Sequence, residues 1–268
     1  MCGIVGYAGA KEKKEILIDG LRELEYRGYD SAGIAVVTSS GLNNFKAVGK
    51  LKNLEEKTAN FTSSGLGVAI GHTRWATHGK PTELNAHPHL GKNSYVVHNG
   101  IIENYQEIKK ELQAEGVNFL SQTDTEVIVH LFEHFSKECH NPFEAFEKTL
   151  AKLEGAYAIL LITKDADDTI FFAKNGSPML IGFVDDEVYF ASSDTAIIGK
   201  AKEVYYLEDG EYGYVEGAEV RLFNADGAKE FNTKPLESDK LSAQKDGYRF
   251  FMEKEIYEQF VVIADTMM

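Results

Sequence analysis

Met1-Cys2-Gly3-Ile4-Val5-Gly6-Tyr7 opens the chain with small and apolar residues, and no charge follows until Lys11. A secretory signal needs a basic segment ahead of its apolar run, and N-myristoylation needs glycine directly after the initiator methionine. Neither pattern is present, so the stretch reads as a buried first strand beginning at the terminus, with Cys2 at its tip. Most free cysteines are small buried hydrophobes. At position 2 a second reading opens, because removal of Met1 leaves Cys2 with a free α-amino group. That amine has an ordinary pKa of about 7.7–8.0 and can serve as base for the thiol beside it, the arrangement of N-terminal-residue nucleophiles.

Outward from this strand, Lys11 to Tyr26 places Ile16, Leu17, Leu21 and Leu24 at helical spacing. Ala32 to Val37, Val68 to Ile70 and Tyr95 to His98 read as strands, and Leu54 to Phe61 as a short helix. Thr73 to Lys92 reads as a long polar loop, a kind of segment that is usually functional or disordered. Amphipathic patterns then cover Glu103–Glu115, Asp124–Cys139 and Phe143–Leu153, the last with Pro142 near its start. Beyond Ala156 the period changes to a series of short strands ending with Val220–Phe223. Strands flanking a central helical block predict sheets with helices on their outer faces rather than alternating βαβ units. Phe250 to Met268 reads as helix-like.

The 268 residues carry 28 Lys+Arg against 42 Asp+Glu, a net charge of −14, and 43% are hydrophobic. That is ample for a packed core and argues against global disorder. The acidic balance argues against a nucleic-acid partner, and no stretch approaches the roughly 20 apolar residues of a membrane span. With only Cys2 and Cys139, a disulfide framework is not expected and a reducing, cytoplasmic compartment is.

Several segments carry candidate chemistry beside plainer readings. Five of the eight histidines, His72, His78, His87, His89 and His98, fall between residues 72 and 98. They are solvated or core histidines or a metal site, and a metal is disfavoured because Glu83 is the only acid within the loop. Arg74, at a strand end, is a surface charge or a fork of donors for a carboxylate. Asn99-Gly100 is a turn signal, yet the Asn99 amide and the Gly100 N–H could jointly donate to an oxyanion. Thr123 with Glu126 reads as a helix capping box, leaving Asp124 able to bind an ammonium.

Together these segments resemble the class II glutamine amidotransferases, which belong to the N-terminal-nucleophile hydrolases. The resemblance rests on Cys2-Gly3-Ile4-Val5-Gly6, Tyr26-Arg27-Gly28-Tyr29-Asp30-Ser31-Ala32-Gly33 and the block from His72 to Gly79. Asn85-Ala86-His87-Pro88-His89, the block from His98 to Asn104 and Thr123-Asp124-Thr125-Glu126 follow in the same order. Within that family the Trp-Ala-Thr-His form is similar to the glucosamine-6-phosphate synthases. The resemblance implies a four-layer αββα sandwich of two antiparallel sheets, an α+β fold, with no cofactor and no metal. It implies that the Cys2 thiolate attacks the glutamine side-chain amide and that Asn99 and Gly100 form the oxyanion hole. Arg74 would hold the substrate α-carboxylate and Asp124 its α-ammonium; Thr77 and His78 would line the pocket, and Trp75 would be a gate that shields ammonia. Arg27 and His87 would be supporting residues, and Cys139, placed mid-helix, would be core.

The same resemblance implies a glutaminase domain over residues 1–240 and, over 241–268, a linker stub toward sugar-phosphate isomerase domains that are absent here. The full-length enzyme would be a homodimer, and this fragment would show glutaminase activity alone. The rivals are an N-terminal-cysteine hydrolase of another amide, such as a bile-salt or penicillin acylase, and a non-catalytic module that retains Met1.

Overall fold

β1 (Gly3–Ala8) is buried at every position and occupies the interior of a sheet. In the computed structural model the described residues are 2–38, 41–76 and 79–236, together with Glu253, Ile256, Tyr257 and Gln259. After β1 the chain forms α1 (Lys13–Leu24), β2 (Ser31–Thr38), β3 (Gly41–Val48), α2 (Leu51–Lys57), β4 (Gly67–Arg74), β5 (His89–Leu90) and β6 (Ser94–Ile102). The central helices are α3 (Tyr105–Ala114), α4 (Glu126–Phe135) and α5 (Pro142–Leu150). Strands follow: β7 (Gly155–Thr163), β8 (Ala166–Asn175), β9 (Leu180–Val184), β10 (Glu187–Ala191) and β11 (Glu203–Tyr206). The last are β12 (Glu211–Glu216), β13 (Glu219–Asn224), β14 (Gly227–Lys229) and β15 (Lys234–Pro235).

Two sheets result, one of eight strands in the order β15-β11-β9-β10-β1-β4-β2-β3 and one of seven in the order β14-β13-β12-β8-β7-β6-β5. Every pairing between neighbouring strands is antiparallel. Successive residues of a strand point to opposite faces, and β1 uses both. Ile4 and Ala8 enter a core between the sheets with Val37, Ile70, Val97, Leu160 and Phe172. Val5 and Tyr7 enter a second core beneath α1, where Leu17, Leu21 and Leu24 are fully buried; burying each such side chain contributes about 1.5–3 kcal/mol. A third core joins α3, α4 and α5 to the outer face of the seven-stranded sheet through Ile108, Val127, Phe146, Ile159 and Phe171. The layers are helix, sheet, sheet, helix, the expected αββα sandwich. Gly6 lets the sheets close, since a Cβ built there stands 2.7 Å from Leu160 Cδ1.

Some expectations need correction. α2 begins at Leu51 rather than Leu54 and ends at Lys57, where Thr58 Oγ1 donates back to the Leu54 carbonyl. β3 went unread because Asn43 and Asn44 break the strand signature, yet it pairs along its length with β2. The long loop is shorter than expected, because β4 runs on to Arg74 and β5 takes up His89–Leu90. The capping box does not form: α4 starts at Glu126, whose carboxylate accepts from the Leu120 and Ser121 N–H groups. Cys139 is not mid-helix, because α4 ends at Phe135; it still packs, partly buried, against the third core. Asn141 caps α5 by accepting from Glu144 N–H, with Pro142 as the first helical residue.

By its internal contacts the chain divides into units of residues 1–236 and 237–268. The sequence-read helix from Phe250 and the stub from residue 241 lie outside the described residues except at the four positions named above. No described helix is long and apolar enough to cross a membrane.

Candidate active site

The site forms where the two sheets meet at the start of β1. Pairing of Gly3 with Thr73 delivers the end of β4 to Cys2. There the Trp75 N–H donates to Cys2 Sγ at 3.3 Å, and the thiol faces the Trp75 carbonyl at 3.7 Å. Asp30, just ahead of β2, accepts the Ala76 N–H at 2.7 Å, and its own N–H donates to the Arg74 carbonyl at 3.1 Å. Three adjacent strands thus fix the backbone that embraces the sulfur. From the other sheet, β6 contributes Asn99, whose Nδ2 donates to the Cys2 carbonyl oxygen at 3.2 Å.

Gly100 follows at φ 129°, a value L side chains rarely adopt. A Cβ there would stand 2.0 Å from the Ala156 carbonyl oxygen on β7. Glycine alone fits, and the turn signal of Asn99-Gly100 resolves into a position inside a strand, paired with Tyr157 of β7, rather than a hairpin turn.

Cys2, Trp75, Asn99 and Gly100 line one cavity of about 390 Å³, within the range of small-molecule sites. Arg27, Ile101, Ser177, Pro178 and Ser192 complete the lining. Arg27, read from the sequence as support, reaches the cavity wall and donates to the Ser192 carbonyl at 3.4 Å. Ser177, Pro178 and Ser192 went unread: small residues at strand ends carry no sequence signal. Ser192 Oγ accepts the Ile4 N–H at 3.1 Å and so braces β1 next to the nucleophile.

Arg74 and Asp124 stand outside this lining. Arg74 is 4% exposed, and its guanidinium donates to the Gly79 and Lys80 carbonyls at 3.4 and 3.5 Å. Asp124 accepts the Ile102 N–H at 2.8 Å, which ties it to β6 two residues beyond Gly100. Burial lowers the Arg74 pKa, and the charges of Cys2, Asp30 and Asp124 oppose that loss, so Asp124 lies within electrostatic reach of Arg74. Thr77 and His78 lie outside the described residues. Trp75 is 44% exposed, edge-on to Tyr29 at 5.7 Å.

Burial pushes the Cys2 thiol up from its ordinary value, against the downward pull of the Trp75 backbone and the Arg74 charge. The thiol is therefore protonated at neutral pH and needs a base to react. None of the described imidazoles hydrogen-bonds the sulfur. His72, His87, His89 and His98 are core residues, each at most 5% exposed. His72 Nε2 meets Asn99 Oδ1 at 3.0 Å, and the His72 and His87 rings stack at 4.0 Å. His87 Nε2 and His98 Nδ1 both meet Thr125 Oγ1 at 3.0 Å, and His89 Nε2 meets Thr123 Oγ1 at 3.0 Å. Burial lowers all four pKa values, that of His72 to about 3, so the rings are neutral. No group of three or more metal-ligating side chains occurs among the described residues.

A model of the glutamine amidotransferase domain matches residues 72–199. Along its whole length the chain is 57% identical to a glutamine–fructose-6-phosphate aminotransferase (isomerizing) of Campylobacter jejuni and 48% identical to that of Helicobacter pylori. The chain belongs to the class II glutamine amidotransferases. This amidotransferase spans 45% and 44% of the length of those two relatives. Its sandwich also resembles glutamine phosphoribosylpyrophosphate amidotransferase from B. subtilis, with a TM-score of 0.67 and 27% identity over 87% of this chain and 49% of that one. The amidotransferase therefore has the N-terminal-nucleophile hydrolase fold, and its Cys2 stands at the tip of the interior strand β1.

Proposed function

We propose that this amidotransferase hydrolyses glutamine to glutamate and ammonia through a thioester on Cys2. The α-amine of Cys2, freed by removal of Met1, takes the thiol proton. The thiolate attacks the side-chain amide carbon, and the amine returns the proton to the departing nitrogen as the C–N bond breaks. Water, deprotonated by the same amine, then attacks the thioester and breaks the C–S bond, restoring the thiol. The oxyanion of both steps is held by Asn99 Nδ2 and the Gly100 N–H. One such donor is typically worth about 2.7–4 kcal/mol.

The observation that carries this reading is the meeting of the Cys2 sulfur, held by Trp75 N–H, with Asn99 and Gly100 in a single cavity. The raised thiol pKa calls for a base, and the described imidazoles are engaged elsewhere; both support the α-amine in that role. Arg74 is the partner for the substrate α-carboxylate, exchanging its bonds to the Gly79 and Lys80 carbonyls for it, and Asp124 is the partner for the α-ammonium. Trp75 shields the ammonia.

The names of the relatives support fructose 6-phosphate as the ammonia acceptor, giving glucosamine 6-phosphate. We place that amination in a sugar-phosphate isomerase domain within the part of the relatives that this chain does not span, residues 241–268 being the linker toward it. The longer enzyme would work as a cytoplasmic homodimer.

The test is release of glutamate and ammonia from glutamine by this chain, alongside an intact mass that shows loss of Met1. Cys2→Ala should abolish release while glutamine still binds by calorimetry. Ammonia release by that variant overturns the assignment of the nucleophile.

A further inference from the structure

Asn99 can serve an oxyanion only if its amide is turned the right way, because a carbonyl oxygen in place of Nδ2 would repel the developing charge. Two contacts fix the turn. Nδ2 donates to the Cys2 carbonyl at 3.2 Å, and Oδ1 faces His72 Nε2 at 3.0 Å. Reversing the amide would set oxygen against oxygen at Cys2. An amide NH₂ carries two hydrogens, so with one committed to the Cys2 carbonyl the other is available to the cavity. A neutral imidazole has one N–H, and Oδ1 can only accept, so His72 carries its hydrogen on Nε2.

His72 is itself held from behind. It is fully buried on β4, the His87 ring stacks on it at 4.0 Å, and His87 Nε2 is anchored at 3.0 Å to Thr125 Oγ1, which also meets His98 Nδ1. His98 directly precedes Asn99 on β6. The frame thus begins and ends beside the amide that it orients, and it ties β4 of one sheet to β6 of the other.

We propose that His72 is a positioning residue for the reaction: its Nε2–H, kept in plane by the His87–Thr125–His98 frame, locks the Asn99 amide with Nδ2 toward the nucleophile. This rests on the oxyanion reading of Asn99. His72 touches no substrate and supplies no proton.

The test is glutamine hydrolysis by this chain with His72→Gln, His72→Asn and His72→Leu. Gln sets an N–H close to the imidazole Nε2 position; Asn is too short, and Leu has no donor. The expected order of kcat is wild type, then Gln, then Asn and Leu, with Leu down about 10- to 100-fold and KM changed less than threefold. Adding Asn99→Ala to His72→Leu should cost little beyond Asn99→Ala alone, because the two act through one donor. If His72→Leu fails to fold, the contrast of Gln with Asn decides, and equal kcat for those two overturns the proposal. So does a loss that multiplies fully with that of Asn99→Ala, or an imidazole ¹⁵N spectrum showing His72 protonated on Nδ1. Unchanged kcat in Asn99→Ala alone would instead overturn the oxyanion reading beneath it.

Discussion

Asn99 Nδ2 donates to the carbonyl oxygen of Cys2 across the junction of the two sheets, at 3.2 Å. This bond brings a donor from β6 to the residue ahead of β1 and makes the nucleophile and the oxyanion donor one geometric unit. Asn99→Ala should lower kcat for glutamine hydrolysis by roughly 10²- to 10³-fold, the usual loss for one such donor, with KM little changed. Steady-state kinetics checks this, and an effect confined to KM would contradict it.

Asp124 accepts a hydrogen bond from Ile102 N–H, and an asparagine oxygen can accept the same bond. Asp124→Asn therefore removes a charge while sparing local structure. Losing a charge-assisted contact to the substrate ammonium costs about 1.5–3 kcal/mol, a rise in KM of roughly 10- to 150-fold. The melting temperature should stay near that of the parent. An unchanged KM would rule out the ammonium role.

The buried histidines give stability a distinctive pH dependence. Folding lowers the pKa of His72 from 6.5 to about 3 and lowers those of His87, His89 and His98 as well. As pH falls through 6.5 the unfolded chain takes up protons that the folded chain refuses. Stability is thus complete above that pH and is lost below it, by up to about 1.4 kcal/mol per pH unit for each ring. Glu126, held down to about 2 from 4.5, adds its own loss only as pH falls below 4.5. The urea midpoint should therefore drop between about pH 6.5 and 5, before carboxylates titrate. A midpoint that is flat over that interval would show that these rings are not buried neutral.

Gly100→Ala must relieve both a φ of 129° and a 2.0 Å approach to the Ala156 carbonyl. Strain of this kind costs about 1–3 kcal/mol, and relief by backbone movement shifts the N–H assigned to the oxyanion. The denaturation midpoint and kcat should both fall; parent-like values of both would refute the tight fit.

Much of this arrangement was legible in the residue pattern. The apolar run after Cys2, the helically spaced leucines of α1 and the late series of short strands announced buried sheets with helices outside, because hydrophobic period is a local property. β3 was not legible: half-exposed edge strands tolerate Asn43 and Asn44, and only pairing with β2 reveals them. The blocks around Cys2, Arg74, Asn99 and Asp124 were visible as motifs. That Asn99 reaches Cys2 depends on how two sheets dock, and that Arg74 leans on the Gly79 and Lys80 carbonyls depends on how the loop after β4 folds back. The Glu126 carboxylate turned to Leu120 and Ser121 because the loop just ahead of α4 folds back over it: one local pattern lost to another.

Gly6, where a Cβ would have to push aside the Leu160 Cδ1 methyl between the sheets, lies four residues from Cys2. The spacing of the sheets and the alignment of donor with nucleophile are therefore set by one and the same closure. Hydrolysis then works as a reporter of global cooperativity. In a denaturant titration the loss of ammonia release and the loss of far-ultraviolet ellipticity should trace a single curve, since no half of the sandwich holds a working site.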